Sequence, residues 1–405
     1  MIHSDVFSFF SGVGFLDLGF EDAGFNVVYA SEIFPPFMEA YRYSRTHLKR
    51  NLPEYGCYCA ENGDIQTLLN PEEKYILSDL VNTSRQNADL VGFIGGPPCP
   101  DFSVGGKNKG KEGEKGKLSA SYVQLICEHQ PDFFVFENVK GLWRTLKHRT
   151  FYEDLKRILQ NAGYVLTEKL INSLEYGVPQ DRERIILIGF HRHIFHQIGS
   201  PVNIHFRDVF PETIFPWDKF VVFPKTEVFS YPWPKFTPFQ ADSSLDCPPN
   251  LPQELTVEYW FKRNQTENHL NAEGYFKPRG GIEKMKAIPE GDDSKKSYKR
   301  LHRWRYSPTA CYGNNEVHLH PYKVRRLSVA EAIAIQSLPK DFVLPPELPL
   351  SHLFKSIGNG VPYLASLAIA KTILYFLNHP GIDEENRRQQ VNDFEPLQLS
   401  LNLEM

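Results

Sequence analysis

The sequence predicts an α/β protein with a mostly parallel sheet and a second, smaller domain rich in loops and short strands. Two observations carry that prediction. Through residues 1–190, short apolar runs alternate with polar stretches of helical character, the pattern of buried strands joined by crossover helices. Residues 201–252 then change composition and hold ten of the 30 prolines and eleven aromatics. Proline removes a backbone donor and breaks helices, so this stretch reads as a loop-rich insert of short strands. At 405 residues the chain has room for two or three domains.

Taken in order, the expected strands are Val6–Phe10, Val27–Ala30, Leu90–Ile94, Phe133–Phe136 and Ile185–Ile188, each short and apolar. Helical segments between them include Leu16–Glu21, Ser119–His129 and Tyr152–Ala162. After Arg325 helical signals return. Ser328 stands where it can N-cap the run that follows, with Glu331 at capping-box spacing. Val361–Leu377 reads as a further buried helix; Lys371 interrupts its apolar run, which falls short of membrane-spanning length. No basic leader marks export, and six cysteines are too few for a disulfide scaffold, so an intracellular, reduced protein is expected.

Charge is unevenly placed. The formal net charge is −4, and residues 379–405 carry all of it, leaving 43 charges of each sign in residues 1–378. Within that neutral body, Lys295 to Arg305 has six Lys/Arg, no acid, and two interleaved aromatics, Tyr298 and Trp304. Gly105 to Lys117 has five Gly and five Lys. Such runs are most often solvated faces, yet they also suit phosphate contact and base stacking.

The segments that carry chemistry fall at strand ends. Phe10-Ser11-Gly12-Val13-Gly14 follows the first strand and opens a helix, where glycines permit close approach of a nucleotide-like ligand. Glu32 ends the second strand, the place where doubly wound folds bind ribose hydroxyls. Asp64, in Gly63-Asp64-Ile65, is expected at the end of a third. Cys99 sits among Gly95, Gly96, Pro97, Pro98 and Pro100. A stiff loop past a strand is no ordinary core position, and a thiolate there is a candidate nucleophile. Glu137 closes the apolar strand Phe133–Phe136, where desolvation suits an acid that holds a proton near neutrality. Arg182 and Arg184, two apart, share a face if a strand begins there, and could bind phosphate or orient a carbonyl. The pairs His191/His193 and His318/His320, like Cys57/Cys59, lack further ligands at metal spacing. No metal is expected.

Together these segments resemble the DNA (cytosine-5)-methyltransferases of bacterial type. The family's motifs stand in the family's order: FSGVG at 10–14, Glu32, GDI at 63–65, PPCPDFS at 97–103, ENV at 137–139, QDRER at 180–184, RRLSVAEAIAIQSLP at 325–339 and KSIGNGVP at 355–362. Coverage runs from about residue 5 to 378. The resemblance implies a Rossmann-like S-adenosylmethionine-dependent methyltransferase fold with helices on both sheet faces. It divides the chain into a catalytic part at 1–190, a target-recognition domain at 191–319, a returning catalytic part at 320–378 and a polar tail at 379–405.

It further implies methyl transfer from S-adenosylmethionine to C5 of a cytosine flipped out of double-stranded DNA. Cys99 would add to C6, Glu137 would hold a proton at N3, and Arg184, helped by Arg182, would contact the base carbonyl. Phe10, Gly12, Gly14, Glu32, Ile33, Asp64, Ile65, Asn359 and Val361 match donor-pocket positions. A cytoplasmic, nucleoid-associated methylase of a restriction-modification system follows, with a cognate endonuclease as a possible partner. Two departures stand out: Phe15 where the family often has glycine, and Pro100 where it often has glutamine. The Lys/Gly run at 105–117 is similar to the family's mobile loop. The alternatives are a tRNA methyltransferase on the same scaffold, whose Cys-Phe-Thr signature is missing, and an inactive DNA-binding relative, which would be free to lose Cys99 and Glu137.

Overall fold

The computed structural model describes residues 2–98, 114–144, 146–197, 215–278, 280–295, 297–312 and 317–379. Its centre is a seven-stranded sheet of β1 (Ser4–Phe9), β2 (Asn26–Glu32), β3 (Gly56–Cys59), β4 (Leu90–Gly95), β5 (Phe133–Val139), β6 (Tyr164–Asn172) and β8 (Glu183–His191). A two-residue strand β7 (Gln180–Asp181) pairs outside it with β9 (Ser307–Pro308). The sheet order is β3-β2-β1-β4-β5-β8-β6. All its pairings are parallel except those of β8, which runs antiparallel to both β5 and β6.

Both faces of the sheet are covered, which is why its strands read as continuous apolar runs. Val6, Val27, Phe133, Val135 and Ile188 pack on one side with Leu16 and Phe20 of helix α1 (Phe15–Ala23) and with the helix Tyr363–Asn378. Phe7, Phe9, Val91, Phe93, Phe134 and Phe136 face the other side. There they meet α3 (Pro71–Asn87), α4 (Glu114–His129) and α6 (Leu146–Asn161). The remaining helices before β6 are α2 (Pro35–His47) and α5 (Lys140–Arg144). Sheet order reverses between β1 and β4, so the loops leaving those strands open the crevice in which doubly wound folds bind ligands.

A third core lies beyond the sheet. Phe15 and Leu18 of α1 and Phe37 of α2 pack there with Trp260, Phe261, Leu301, Tyr312 and residues 327–357. The capping box at Ser328 is present: its Oγ accepts from Glu331 N–H at 3.2 Å, and Glu331 Oε2 accepts from Ser328 N–H at 2.7 Å. The helix so begun spans Val329–Ile335.

Three expectations change. The third strand ends at Cys59, and a 3-10 turn, Ala60–Gly63, carries the chain on to Asp64. Strand β6 was not anticipated, because Thr167-Glu168-Lys169 interrupts its apolar run; it lies at the sheet edge, where Tyr152 and Lys156 of α6 reach Glu168. The insert is rich in loops as expected, but the strands expected with it are sparse. Among its described residues, β9 and isolated bridges such as Thr237–Glu290 supply the β-structure.

Candidate active site

The crevice has two sides: one around the glycine loop and Glu32, where the sequence leads one to expect the donor and which is called the donor side, and one around Glu137 and Arg184, where it leads one to expect the base and which is called the base side. On the donor side, Phe10 leaves β1 with a positive φ of 54° and sets its ring edge-on to Tyr122 at 6.0 Å. Gly12 follows with φ +56°, and a Cβ there would meet nothing within 4 Å, so its face is open. Gly14 caps α1 in the left-handed region. Glu32 at the end of β2 is nearly buried. Its Oε2 accepts from Gly12 N–H at 3.1 Å and its Oε1 from Phe34 N–H at 2.9 Å. Burial pushes its carboxyl above the usual range, opposed by those two amides and by the charge of Lys355. Lys355 itself stands over the Phe34 ring at 5.8 Å. It was not singled out from sequence, where a lysine in a loop-flanking helix carries no distinguishing signal.

The other donor-side residues divide. Ile33 is 54% exposed beside Glu32, an uncovered apolar surface at the crevice. Asp64 is half-buried, with Oδ1 accepting from Gln66 N–H at 3.0 Å. Ile65 and Val361 are buried in the two sheet-face cores. Asn359 is exposed at the end of the helix Leu350–Asn359. Phe15 does not enter the crevice. Its ring turns into the third core, edge-on to Phe342 at 5.4 Å, and lies where a side chain on Gly360 would have to go.

On the base side, Cys99 and most of its loop lie outside the described residues, as do 105–113 of the Lys/Gly run. The start of the loop is placed. Gly96 backs onto Glu137, whose Oε2 would be 2.8 Å from a Cβ there. Asn138, 2% exposed, donates from Nδ2 to the Pro97 carbonyl at 3.3 Å. Asn138 therefore ties the loop to the end of β5 two residues before Cys99, a role legible in sequence only from its place in the ENV motif. Arg184 stands opposite on β8, where Val139 pairs with it. Its Nε is 2.9 Å from Glu137 Oε1. The contact is an ion pair off the hydrogen-bond axis, because Oε1 has no hydrogen-bond partner. Glu137 is thus buried against a guanidinium and not, as the apolar strand suggested, in a purely apolar pocket.

Arg182 has other partners. It is 1% exposed, and its Nη atoms donate to the carbonyls of Gly358 at 2.9 Å, Gly360 at 3.1 Å and Ala310 at 3.5 Å. Burial, then the charge of Arg184, lowers its pKa to about 9. The break between β7 and β8 falls at this residue, so the two arginines do not present themselves together. Arg184 meets Glu137, and Arg182 grips the backbone behind it.

The basic run is also redirected. Arg300, His302, Arg303 and Trp304 are all buried. Arg300 donates to the carbonyls of Ile288, Met285 and His320 and packs over Phe239 at 3.9 Å. Arg303 makes a two-pronged pair with Glu290, from Nε at 2.8 Å and Nη2 at 2.9 Å. Arg300 and Arg303 thus serve the insert's own carbonyls and carboxylate, while Lys299 and Arg305 are half-buried and Lys295 is exposed.

The histidine pairs are occupied by protein groups. His193 Nε2 meets Asp132 at 2.5 Å, His320 Nε2 meets Glu331 at 3.3 Å, and burial drives His318 down to about 3. Among the described residues no cluster of three His, Cys, Asp or Glu side chains is placed to hold a metal ion.

Comparison with known proteins fits this geometry. The Type II methyltransferase M.NmeDI of Neisseria meningitidis serogroup C is 56% identical over 375 residues, covering 92% of this chain and 84% of that protein. M.MthTI of Methanothermobacter thermautotrophicus, also a Type II methyltransferase, is 29% identical over 92% of this chain and 97% of its own length. Among solved structures, a prophage-encoded E. coli protein assigned as a DNA modification methyltransferase superposes with a TM-score of 0.60 at 22% identity, over 92% of this chain and 99% of that one. The S. pombe Dnmt2 methyltransferase does so with a TM-score of 0.56 at 12% identity, over 92% and 98%. Both share the fold. The family model described as C-5 cytosine-specific DNA methylase matches residues 4–375, and the chain belongs to that family.

Proposed function

We propose that this methyltransferase moves a methyl group from S-adenosylmethionine to C5 of a flipped-out cytosine within a specific double-stranded DNA sequence. The single observation that carries the reading is the Glu137–Arg184 pair, standing against the start of the loop that follows β4, with β4 itself between the pair and β1, which leads to the open Gly12 and its hydrogen bond to the carboxylate of Glu32. That donor side fits a nucleoside. It offers a hydrogen-bonding carboxylate, a glycine face with room above it and the exposed Ile33. Phe10, Gly12, Gly14, Glu32, Ile33, Asp64 and Asn359 would hold the donor, with Ile65 and Val361 backing the pocket from the core. When bound, S-adenosylmethionine supplies an electrophilic methyl on a sulfonium centre.

The chain's own residues make the cytosine reactive. The Cys99 thiolate adds to C6; a C–S bond forms, and the C5–C6 π electrons become available at C5. Glu137 holds a proton at N3, which disperses the charge that develops as the thiolate adds. Arg184 keeps Glu137 oriented and presents its remaining N–H groups to the base carbonyl. Arg182 acts as a positioning residue behind them. After C5 is methylated, its proton leaves to solvent or a base, the C6–S bond breaks, and the thiolate departs with the ring restored. Splitting one difficult substitution into addition and elimination is the advantage of covalent catalysis.

Residues 191–319 serve as target-recognition domain in this reading. The protein protects cytoplasmic DNA as the methylase of a Type II restriction-modification system, with a cognate endonuclease at the same sequence. Incubation with labelled S-adenosylmethionine and mixed-sequence duplex DNA tests the activity: label is expected on cytosine C5, and no label, or label on an exocyclic amine, refutes it. DNA carrying 5-fluorocytosine should crosslink to the protein and not to Cys99→Ala, since fluorine at C5 blocks elimination. Bisulfite sequencing of DNA from expressing cells identifies the target.

A further inference from the structure

Two buried glutamines outside the groups just described join the exit of the insert to the donor side. Gln180 on β7 and Gln336 after the helix Val329–Ile335 are both fully buried. Ala310 N–H donates to Gln180 Oε1 at 3.0 Å, Gln180 Nε2 donates to Gln336 Oε1 at 3.1 Å, and Gln336 Nε2 donates to the Ile357 carbonyl. The direction of this relay is fixed by its ends. An amide N–H at Ala310 demands the oxygen of Gln180, which turns its NH2 to Gln336 and leaves the NH2 of Gln336 for a carbonyl.

The relay runs beside a second bridge, because Arg182 links Ala310 to Gly358 and Gly360. Backbone lies directly on backbone here. A Cβ on Gly358 would stand 2.9 Å from Tyr312 N and 3.1 Å from Ala310 O. On the far side of the same turn, Gly360 is covered by the ring of Phe15, the residue that follows the glycine loop. Residues 357–361, which carry Asn359 and Val361, are therefore clamped between the donor loop and the 307–312 exit of the insert.

We propose that Gln336 and Gln180 form a positioning pair through which DNA held by the insert sets the donor-lining turn. The coupling is reciprocal by thermodynamic necessity: whatever factor DNA adds to donor affinity, the donor adds to DNA affinity. The inference rests on the methyltransferase reading above.

The test titrates the full chain with S-adenosylhomocysteine, with and without duplex DNA bearing the mapped target, and repeats this for Gln336→Met, Gln180→Met and the double variant. Wild type should bind S-adenosylhomocysteine at least about fivefold more tightly with DNA present, the lower end of ordinary coupling. Either single variant should bring the factor below about twofold, and the double variant should go no lower, as expected of one shared relay. A merely structural glutamine would lower the melting temperature and leave the factor intact. A wild-type factor of one, or a folded variant that keeps the wild-type factor, overturns the proposal. Should Gln336→Met not fold, hydrogen exchange on wild type decides: DNA alone must slow the amides of 357–363, and unchanged exchange refutes the coupling. If neither S-adenosylhomocysteine nor DNA binds wild type, the functional reading itself has failed.

Discussion

The sheet and the insert are stabilised by different means, and the difference decides what a charged residue signifies in each. In the sheet, ladders satisfy most of the backbone and the core is aromatic and aliphatic, so the strands themselves do not need a carboxylate or guanidinium at the edge from which the crevice loops leave. Glu32 ends β2, Glu137 lies two residues before the end of β5, and Arg184 is the second residue of β8. Between residues 215 and 312 ladders are few, and buried arginines do the work of a sheet by donating to carbonyls that would otherwise go unpaired. Arg182 and Asp17 apart, a charge at the crevice edge of the sheet points to chemistry; a buried arginine in the insert points to architecture.

The largest effect should come from Glu137. Glu137→Gln keeps the side-chain volume and removes both the proton site and the negative charge facing Arg184. A drop in kcat of about 10²–10⁴ is expected, the usual range for a lost acid–base group. Donor-product affinity should stay within about threefold, because Glu32 and Gly12 are untouched; a comparable loss in both would erase the division between the two sides. In the insert the expectation reverses. Glu290→Gln leaves Arg303 buried without its counter-charge and should cost about 3–5 kcal/mol in urea unfolding. Its effect on kcat should be slight wherever the protein remains folded. A stable Glu290→Gln protein with weakened DNA binding would show that the buried pair serves recognition after all.

The same division explains what could be read from sequence. Most sheet strands were legible because two-sided burial writes itself as an apolar run, and the functional strand ends were legible because a lone Glu after Phe-Phe-Val-Phe breaks that run visibly. Strand β6 was not, since an edge strand tolerates Glu168 and Lys169 mid-run. The insert was legible only as composition. Six bases without an acid resemble a phosphate-binding stripe, and nothing local announces that Glu290, ten residues before Arg300, and the carbonyls of residues 285 and 288 will enclose Arg300 and Arg303. The partners of Arg182 are not legible for a related reason: Ala310, Gly358 and Gly360 lie more than 120 residues away.

A smaller effect is expected behind the donor loop, where the sheet half does bury a charge. Asp17, in the first turn of α1, is wholly buried and accepts from Ser8 Oγ at 2.6 Å and Tyr41 hydroxyl at 2.8 Å. Burial raises its carboxyl pKa from 3.8 to about 6, against the opposing charge of Arg45 and with Glu21 adding to the rise. The folded state therefore holds the proton more tightly than the unfolded chain. The corresponding stability is fully present below pH 4 and is lost as pH rises through about 6. Between pH 4 and 7 the unfolding free energy of wild type, taken relative to Asp17→Asn, should fall by about 2 kcal/mol. A difference that stays flat over that window would mean Asp17 is ionised throughout.

The smallest effect tests whether the returning segment obeys the logic of the sheet or of the insert. Ser328 caps a helix whose Glu331 also pairs with Arg325 at 2.8 Å and with His320, so the same turn carries a backbone device and a buried charge cluster. Burial alone would raise the Glu331 carboxyl, but its contacts with His320 and Arg325 hold it far below the usual range. Ser328→Ala removes one acceptor and leaves the Glu331 N–H without a side-chain oxygen, while Glu331 still accepts from Ser328 N–H. If the cap is an ordinary one, the cost is about 1 kcal/mol, read as a shift in urea midpoint with unchanged slope. If instead the cap orients Glu331 for Arg325 and His320, its loss should propagate into the cluster and approach the several kcal/mol expected for Glu290→Gln. The first outcome would place this segment with the sheet, where backbone geometry suffices. The second would extend the insert's charge-built architecture up to the helix that delivers Gln336.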